Sequence, residues 1–259
     1  MEEKTERQSG IRINKYLSAA GICSRREADR EIAAGNVRID GRAAAAGERV
    51  DVGMTVYFHG KPVVPEEEEI LLAFHKPRGI VCTAEKREKN NIIDYINYPK
   101  RIYPVGRLDR DSEGLILLTN RGDLVNKIMR AGNFHEKEYL VTADRDLTDA
   151  FLEGMRGGVY LEELDVTTRK CRVKQTGKRT FSIVLTQGYN RQIRRMCETL
   201  GCRVIRLIRI RIMNVYLKNL ALGTYRDLTE QEKSDLYRLI EHSRSAPAQK
   251  ADAGHRSGR

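Results

Sequence analysis

With 259 residues, the chain is long enough to bury a substantial core and to divide into two domains of unequal size. Its 47 Lys and Arg against 36 Asp and Glu leave a net charge of +11, which favours a polyanionic partner, nucleic acid before a membrane surface. No apolar run approaches the roughly 20 residues of a membrane-spanning helix, and the polar start Met1-Glu2-Glu3-Lys4 is no signal peptide, so a soluble cytoplasmic protein without a membrane partner is expected.

Residues 1–10 are polar and residues 244–259 are small, basic and aperiodic, and both ends are expected to be disordered. Ile13, Tyr16, Leu17 and Ala20 recur at helical spacing up to Gly21. Ser24-Arg-Arg-Glu27 is a capping box that opens a second helix, with Ala28 and Ile32 on its buried face and Gly35 as its stop. Val37-Arg-Ile-Asp-Gly41 reads as strand into turn, and Met54 to Phe58 as a strand. Arg25 and Arg26 fall in the first turn of the second helix, where their charge and the free backbone N–H groups can face a phosphate; an ordinary exposed helix start explains the spacing equally well. The run from Ile11-Arg-Ile-Asn-Lys-Tyr-Leu17 to Gly41 resembles the S4 RNA-binding module over about residues 11–60. That resemblance implies that Arg12, Lys15, Arg25, Arg26 and Arg30 contact structured RNA. With 11 basic against 9 acidic residues in 1–62, clustering rather than total charge must supply the grip.

Pro62-Val-Val-Pro-Glu-Glu-Glu-Glu69 joins two prolines to an acidic run and reads as a linker. A small domain at 11–62, a linker at 63–69 and a larger domain at 70–243 are therefore expected. In the larger domain, 70–74, 115–118, 138–142, 166–173 and 181–185 read as strands, while 123–130, 147–155 and 229–240 read as amphipathic helices, the last capped by Thr229. This order predicts an α+β fold: a small N-terminal α/β domain beside a larger one built on a mixed or antiparallel sheet.

Between Gly106 and Gly114, three carboxylates and two arginines sit directly before the apolar run Leu115-Ile-Leu-Leu118. A rigid strand anchors such a loop, and an arginine can keep one of its carboxylates ionised as nucleophile or base; a solvated turn with local ion pairs is the plainer reading of the loop taken alone.

The segment Asn190 to Gly201 predicts a helix with Asn190 as N-cap and Gly201 as its stop. Ile193, Met196, Cys197 and Leu200 form its core stripe, and Arg191, Arg194, Arg195 and Glu198 the opposite face. From Ile208 onward the next segment alternates, which places Arg209 and Arg211 on one face of a half-buried strand and Ile208, Ile210 and Ile212 on the other. Helix and strand together predict a basic surface for phosphate contacts. The five cysteines, Cys23, Cys82, Cys171, Cys197 and Cys202, are odd in number and lack ligand spacing, so reduced structural thiols and no metal site are expected.

The S4-like segment, Gly-Arg-Leu-Asp at 106–109 with Asp-Ser-Glu-Gly-Leu following, Lys137-Glu-Tyr139 opening a strand, and Asn190-Arg-Gln-Ile-Arg-Arg-Met196 together resemble the RsuA family of bacterial rRNA pseudouridine synthases, over nearly all of 11–230. Residues 122–133 and 135–141 are most similar to the branch acting on large-subunit (23S) rRNA. The resemblance implies a monomeric isomerase without cofactor or metal that detaches uracil from ribose and rejoins it through carbon, and it leaves a tRNA open as a second substrate. Asp109 matches the family's catalytic aspartate, by direct attack on the ribose or by removal of a ribose proton, and Tyr139 the tyrosine that stacks on uracil. Arg194 matches the basic residue paired with that aspartate, and Leu185 the apolar wall of the uracil pocket. Arg107 is expected to support the flipped nucleotide, with Arg191 and Arg195 as further substrate contacts. From the residues alone, Asp111 rivals Asp109, and a cross-strand core tyrosine is the better reading of Tyr139. Two other functions stay open: a non-catalytic rRNA-binding or ribosome-assembly protein, and a hydrolase using Asp109 and Asp111 as paired carboxylates.

Overall fold

A short strand β1 (Ile11–Arg12) runs straight into α1 (Ile13–Ala19), and a turn through Gly21 delivers α2 (Arg25–Ala33) in the computed structural model, which describes residues 10–66, 68–85 and 87–244. Apart from Gly10 and Arg244, the two ends expected to be disordered lie outside the described residues. The capping box forms: Ser24 Oγ accepts from the Glu27 N–H at 3.2 Å, and the Glu27 carboxylate accepts from the Ser24 N–H at 3.4 Å. Five short strands follow, β2 (Val37–Ile39), β3 (Arg42–Ala43), β4 (Arg49–Val50), β5 (Val56–Phe58) and β6 (Lys61–Pro62). β3-β2-β5-β6 make one antiparallel sheet, and β4 returns to pair with β1. Ile13, Leu17, Ala28, Ile32, Val37 and Val56 close the core of this unit. Val63, expected in the linker, is buried in that core and donates its N–H to Val56 O at 2.8 Å.

The larger unit begins with β7 (Leu71–Lys76), α3 (Ile92–Ile96), β8 (Tyr103–Val105), β9 (Glu113–Thr119), α4 (Gly122–Met129) and β10 (Lys137–Ala143). It continues through α5 (Asp149–Gly157), β11 (Tyr160–Leu161), β12 (Val166–Thr167), β13 (Arg172–Gly177), β14 (Thr180–Leu185), α6 (Gln192–Thr199), β15 (Val204–Ile212), β16 (Val215–Tyr216), β17 (Tyr225–Asp227) and α7 (Glu230–Ile240). The main sheet has the order β13-β14-β10-β15-β9-β7-β17, with β8 added to β9 and β16 to β15. The strand expected over 166–173 is two strands. Thr168 and Cys171 hook the intervening chain onto the end of α5, through Thr168 N to Val159 O and Cys171 N to Arg156 O, so β12 pairs with β11 and β13 with β14.

β7 and β9 are buried on both faces, which is why their apolar runs are continuous rather than alternating. Leu72, Phe74, Ile116 and Leu118 pack on one side with Ile92 of α3. On the other side, Leu71, Ala73, Leu115 and Leu117 pack with Leu124 and Ile128 of α4 and with Leu236 and Ile240 of α7. A third core joins Val141, Phe181 and Ile183 to Phe151 and Met155 of α5 and to Ile193, Met196 and Cys197 of α6. Tyr139 touches both the first and the third core, so it marks the seam between the two halves of the sheet.

That seam is built by one parallel pair, β9 beside β15, with Gly114 opposite Arg209. Gly114 has φ +116°, and a Cβ there would lie 2.4 Å from the Arg209 carbonyl oxygen, so only glycine allows this approach.

Candidate active site

The loop 106–112 is tied down before any ligand arrives. Gly106 turns at φ +77°, with Met129 filling the space where a Cβ would stand. The Leu108 N–H reaches Cys82 Sγ at 3.4 Å, the Gly79 N–H reaches Arg110 O at 2.7 Å, and the Ser112 N–H reaches Asp109 O at 3.1 Å. Beneath it, Lys76 is fully buried and donates to Pro77 O and Ile80 O at 2.9 and 2.8 Å; burial pulls its ammonium below the ordinary lysine range.

This loop forms one wall of a cleft of about 290 Å³ on the seam. Arg107 and Asp109 stand on the loop wall, Lys137, Tyr139 and Leu185 rise from β10 and the end of β14, and Leu207 and Arg209 come from β15. The turn 187–191 before α6 closes the far side. Strand register explains the grouping: Lys137 pairs with Leu185, and Tyr139 with Arg209, so alternate residues of three strands face one space.

The two aspartates part company here. Asp111 is engaged by Arg191 Nη1 at 3.1 Å and by Arg194 Nη2 at 3.3 Å. Burial pushes its carboxyl up, but the Arg191 hydrogen bond and the Arg194 charge outweigh that and hold it below the usual range. Asp109 faces the cleft with its side chain 31% exposed, and its nearest cation is Arg191 Nη1 at 4.0 Å. A carboxylate already spanned by two guanidiniums is poorly placed to react; Asp109 is left free to do so.

Arg194 therefore pairs with Asp111, not with Asp109 as expected. It also donates to Asp111 O and Ser112 Oγ, both at 3.2 Å, and to Val204 O at 3.2 Å. Its place on an exposed basic face is likewise overturned: it is 6% exposed, and burial lowers its pKa. Arg191 is the arginine that neighbours Asp109. Arg195 lies off the cleft, ion-paired to Glu163 and donating to Asn190 O. The helix also starts later than expected. Arg191 sits at φ +51° in the N-cap position, and Gln192 Oε1 accepts from the Tyr189 N–H at 3.1 Å, so Asn190 is freed to line the cleft.

The expected outward face of Arg209 and Arg211 is also corrected, since both are buried, at 1% and 8% exposure. The cause is a β-bulge. Neighbouring Glu138 and Tyr139 of β10 oppose Arg211 and Arg209 of β15, so Ile210 is the extra residue and the two arginines leave on opposite faces. Arg211 meets Glu138 at 2.9 Å and Glu136 at 3.0 Å. Arg209 turns into the cleft.

Lys137 and Arg209 were missed as cleft residues. The Lys137-Glu-Tyr139 spacing could have found the first, because i and i+2 of a strand share a face; nothing in the sequence announces the bulge that redirects the second. Arg12, Lys15, Arg25, Arg26 and Arg30 are all exposed, and none forms an ion pair with a described residue. Among the described residues, no group of three or more His, Cys, Asp or Glu is arranged to hold a metal ion.

A cleft lined by the Asp109 carboxylate and the Tyr139 ring, in a chain whose N-terminal unit presents exposed cations, suits an enzyme that acts on nucleic acid. Residues 70–199 match the RNA pseudouridylate synthase family and residues 11–56 the S4 domain. The chain is 53% identical to the dual-specificity RNA pseudouridine synthase RluF of Escherichia coli strain K12, over 95% of this chain and 84% of that protein. It is 34% identical to the ribosomal large subunit pseudouridine synthase B of Bacillus subtilis, over 91% of this chain and 99% of the other. A crystal structure of a pseudouridylate synthase superposes with a TM-score of 0.65 at 26% identity, covering 88% of this chain and all of that one. The chain belongs to the RNA pseudouridylate synthase family and is an isomerase.

Proposed function

We propose that this chain converts a uridine of large-subunit (23S) ribosomal RNA to pseudouridine, accepts a tRNA as a second substrate, and uses Asp109 on a base flipped into the cleft. The observation that carries the chemistry is the contrast between the two aspartates: Asp111 is spanned by Arg191 and Arg194, while Asp109 faces the cleft. The RNA class is supported by the names of the relatives, one a dual-specificity RNA synthase and one a large-subunit synthase.

In this reading the flipped uracil lies on Tyr139 with Leu185 at its edge, an aromatic face and an apolar wall that replace the lost base stack. Arg107, exposed at the rim, meets the phosphates of the flipped nucleotide. Arg191 sets a positive charge 4.0 Å from the Asp109 carboxylate. Arg194, donating to Asp111 and Ser112, holds the loop that carries Asp109 and so acts on the reaction through position. The five exposed cations of the S4-type module supply contacts to structured RNA that orient without reading sequence.

Carbodiimide-dependent primer extension on rRNA and tRNA tests this, comparing a deletion strain complemented with the wild-type chain or with Asp109→Asn. A stop in 23S rRNA that returns only with wild type supports the reading. Stops restored equally by both would remove Asp109 from the chemistry, and stops confined to small-subunit rRNA would remove the large-subunit assignment.

A further inference from the structure

Two cations at the bottom of the cleft have no anion among the described residues. Arg209 is the largest fully buried side chain of those residues, and Lys137 is 4% exposed. Arg209 spends Nε on Leu115 O at 2.7 Å and Nη1 on Arg107 O at 3.3 Å, and its Nη2 is buried with no partner. Lys137 Nζ has a single carbonyl, His135 O at 3.2 Å, and no carboxylate within ion-pair reach among the described residues. The neighbouring charges on the sheet are paired: Arg206 with Glu113, and Arg211 with Glu136 and Glu138. Burying like charges side by side without an anion is unfavourable, and it persists where a ligand supplies the missing charge. Burial and the Arg209 charge push the Lys137 amine down to about 8, a direct sign of that unfavourable environment.

We propose that Lys137 and Arg209 form a binding subsite for the uracil carbonyl oxygens and stabilise the base as an anion while it is detached from ribose. The inference rests on the function proposed above. When the C1′–N1 bond breaks, its electron pair stays on N1, and the negative charge spreads to the two carbonyl oxygens of the ring. C1′ is satisfied meanwhile by the Asp109 carboxylate or by loss of a ribose proton, and the subsite serves either route. The free ring turns, and C5 bonds to C1′ as the C1′–Asp109 ester bond breaks or, on the other route, as the ribose regains its proton; the C5 proton then leaves and N1 gains one, so the sum is an isomerisation. Donors that already point at the developing charge need no rearrangement as it forms. Tyr139, directly across from Arg209, supplies the face on which the loose ring turns.

The test uses full-length protein under single turnover with RNA containing either uridine or 5-fluorouridine at the target. Fluorine makes uracil a better leaving group, so help to the leaving anion matters less. Lys137→Met and Arg209→Gln are expected to lower the rate on uridine RNA by about 10²-fold, to leave RNA affinity unchanged, and to lose clearly less on 5-fluorouridine RNA. Lys137→Arg and Arg209→Lys keep the charge and are expected to recover much of the rate. An equal loss on both RNAs, full activity of the charge-removing variants, or no difference between these and the charge-keeping variants would overturn the subsite. If wild type forms no pseudouridine in rRNA or tRNA, the proposed function itself fails.

Discussion

Lys137 makes a sharp prediction about stability because its charge is held in the fold at a disadvantage. Its folded pKa is about 8 against an ordinary 10.5. Below pH 8 the amine is charged in both folded and unfolded chains, and the disadvantage is fully present. Between about pH 8 and 10.5 the unfolded chain binds the extra proton, so this residue's contribution to stability improves as pH rises. Lys137→Met is therefore expected to melt at a temperature equal to or above that of wild type at pH 7, with the gap closing by pH 10; thermal melts at both values decide it. Asp111 carries the opposite sign, since its lowered pKa reports favourable pairing. Asp111→Asn removes the anion between Arg191 and Arg194, leaving the buried Arg194 with hydrogen bonds but no charge partner. We expect a loss of about 1–3 kcal/mol of stability and a slower single-turnover rate with RNA affinity retained, measured by denaturant unfolding and filter binding.

At the level of elements, the seam between β9 and β15 is the part least tolerant of change. Gly114→Ala would drive a methyl into the Arg209 backbone at a φ that L-residues avoid, and a loss of about 3 kcal/mol or more is expected, visible as a lowered denaturation midpoint. Deleting Ile210 removes the bulge but keeps Arg209 opposite Tyr139 and Arg211 opposite Glu138, each on its present face, so pseudouridine formation should survive where the protein still folds; circular dichroism and a turnover assay check the two parts. The bulge also shows what a sequence discloses. The apolar runs of β7 and β9, the stripe Ile193, Met196 and Cys197, the Ser24 capping box and the Thr229 cap were legible because burial and capping leave periodic or fixed-offset signatures. The loop carrying Asp109 was legible as a dense charge cluster before an apolar strand. An extra residue in a ladder leaves no such mark, so Arg209 and Arg211 were misplaced. Arg194 was misplaced for a related reason: a helical wheel puts it opposite the core, yet a second layer, the 111–112 loop, covers that face. The two-residue strands other than β12, together with β8 and the five-residue α3, were missed because so short a run carries no period to read.

On the scale of the whole molecule, two units divide the work. The S4-type module offers Arg12, Lys15, Arg25, Arg26 and Arg30 to solvent, and Arg101 of the larger unit donates to Ser18 Oγ and to Cys23 O across the junction. Replacing Arg25 and Arg26 together by Gln should weaken RNA binding across sequences and shallow its salt dependence, by about 0.7–0.9 in slope for each phosphate no longer neutralised, while saturating RNA restores the turnover rate. A titration at several salt concentrations checks the first part and single-turnover kinetics the second. No helix of the described residues is long and apolar enough to cross a membrane. The parallel pair at the seam also orders events in time. Arg209 reaches Leu115 across 94 residues of chain, so the wall bearing Asp109 is synthesised well before the strand that completes the cleft. Contacts that distant in sequence form late in folding. A nascent or truncated chain ending before β15 would therefore hold its aspartate in a cleft without Leu207 and Arg209.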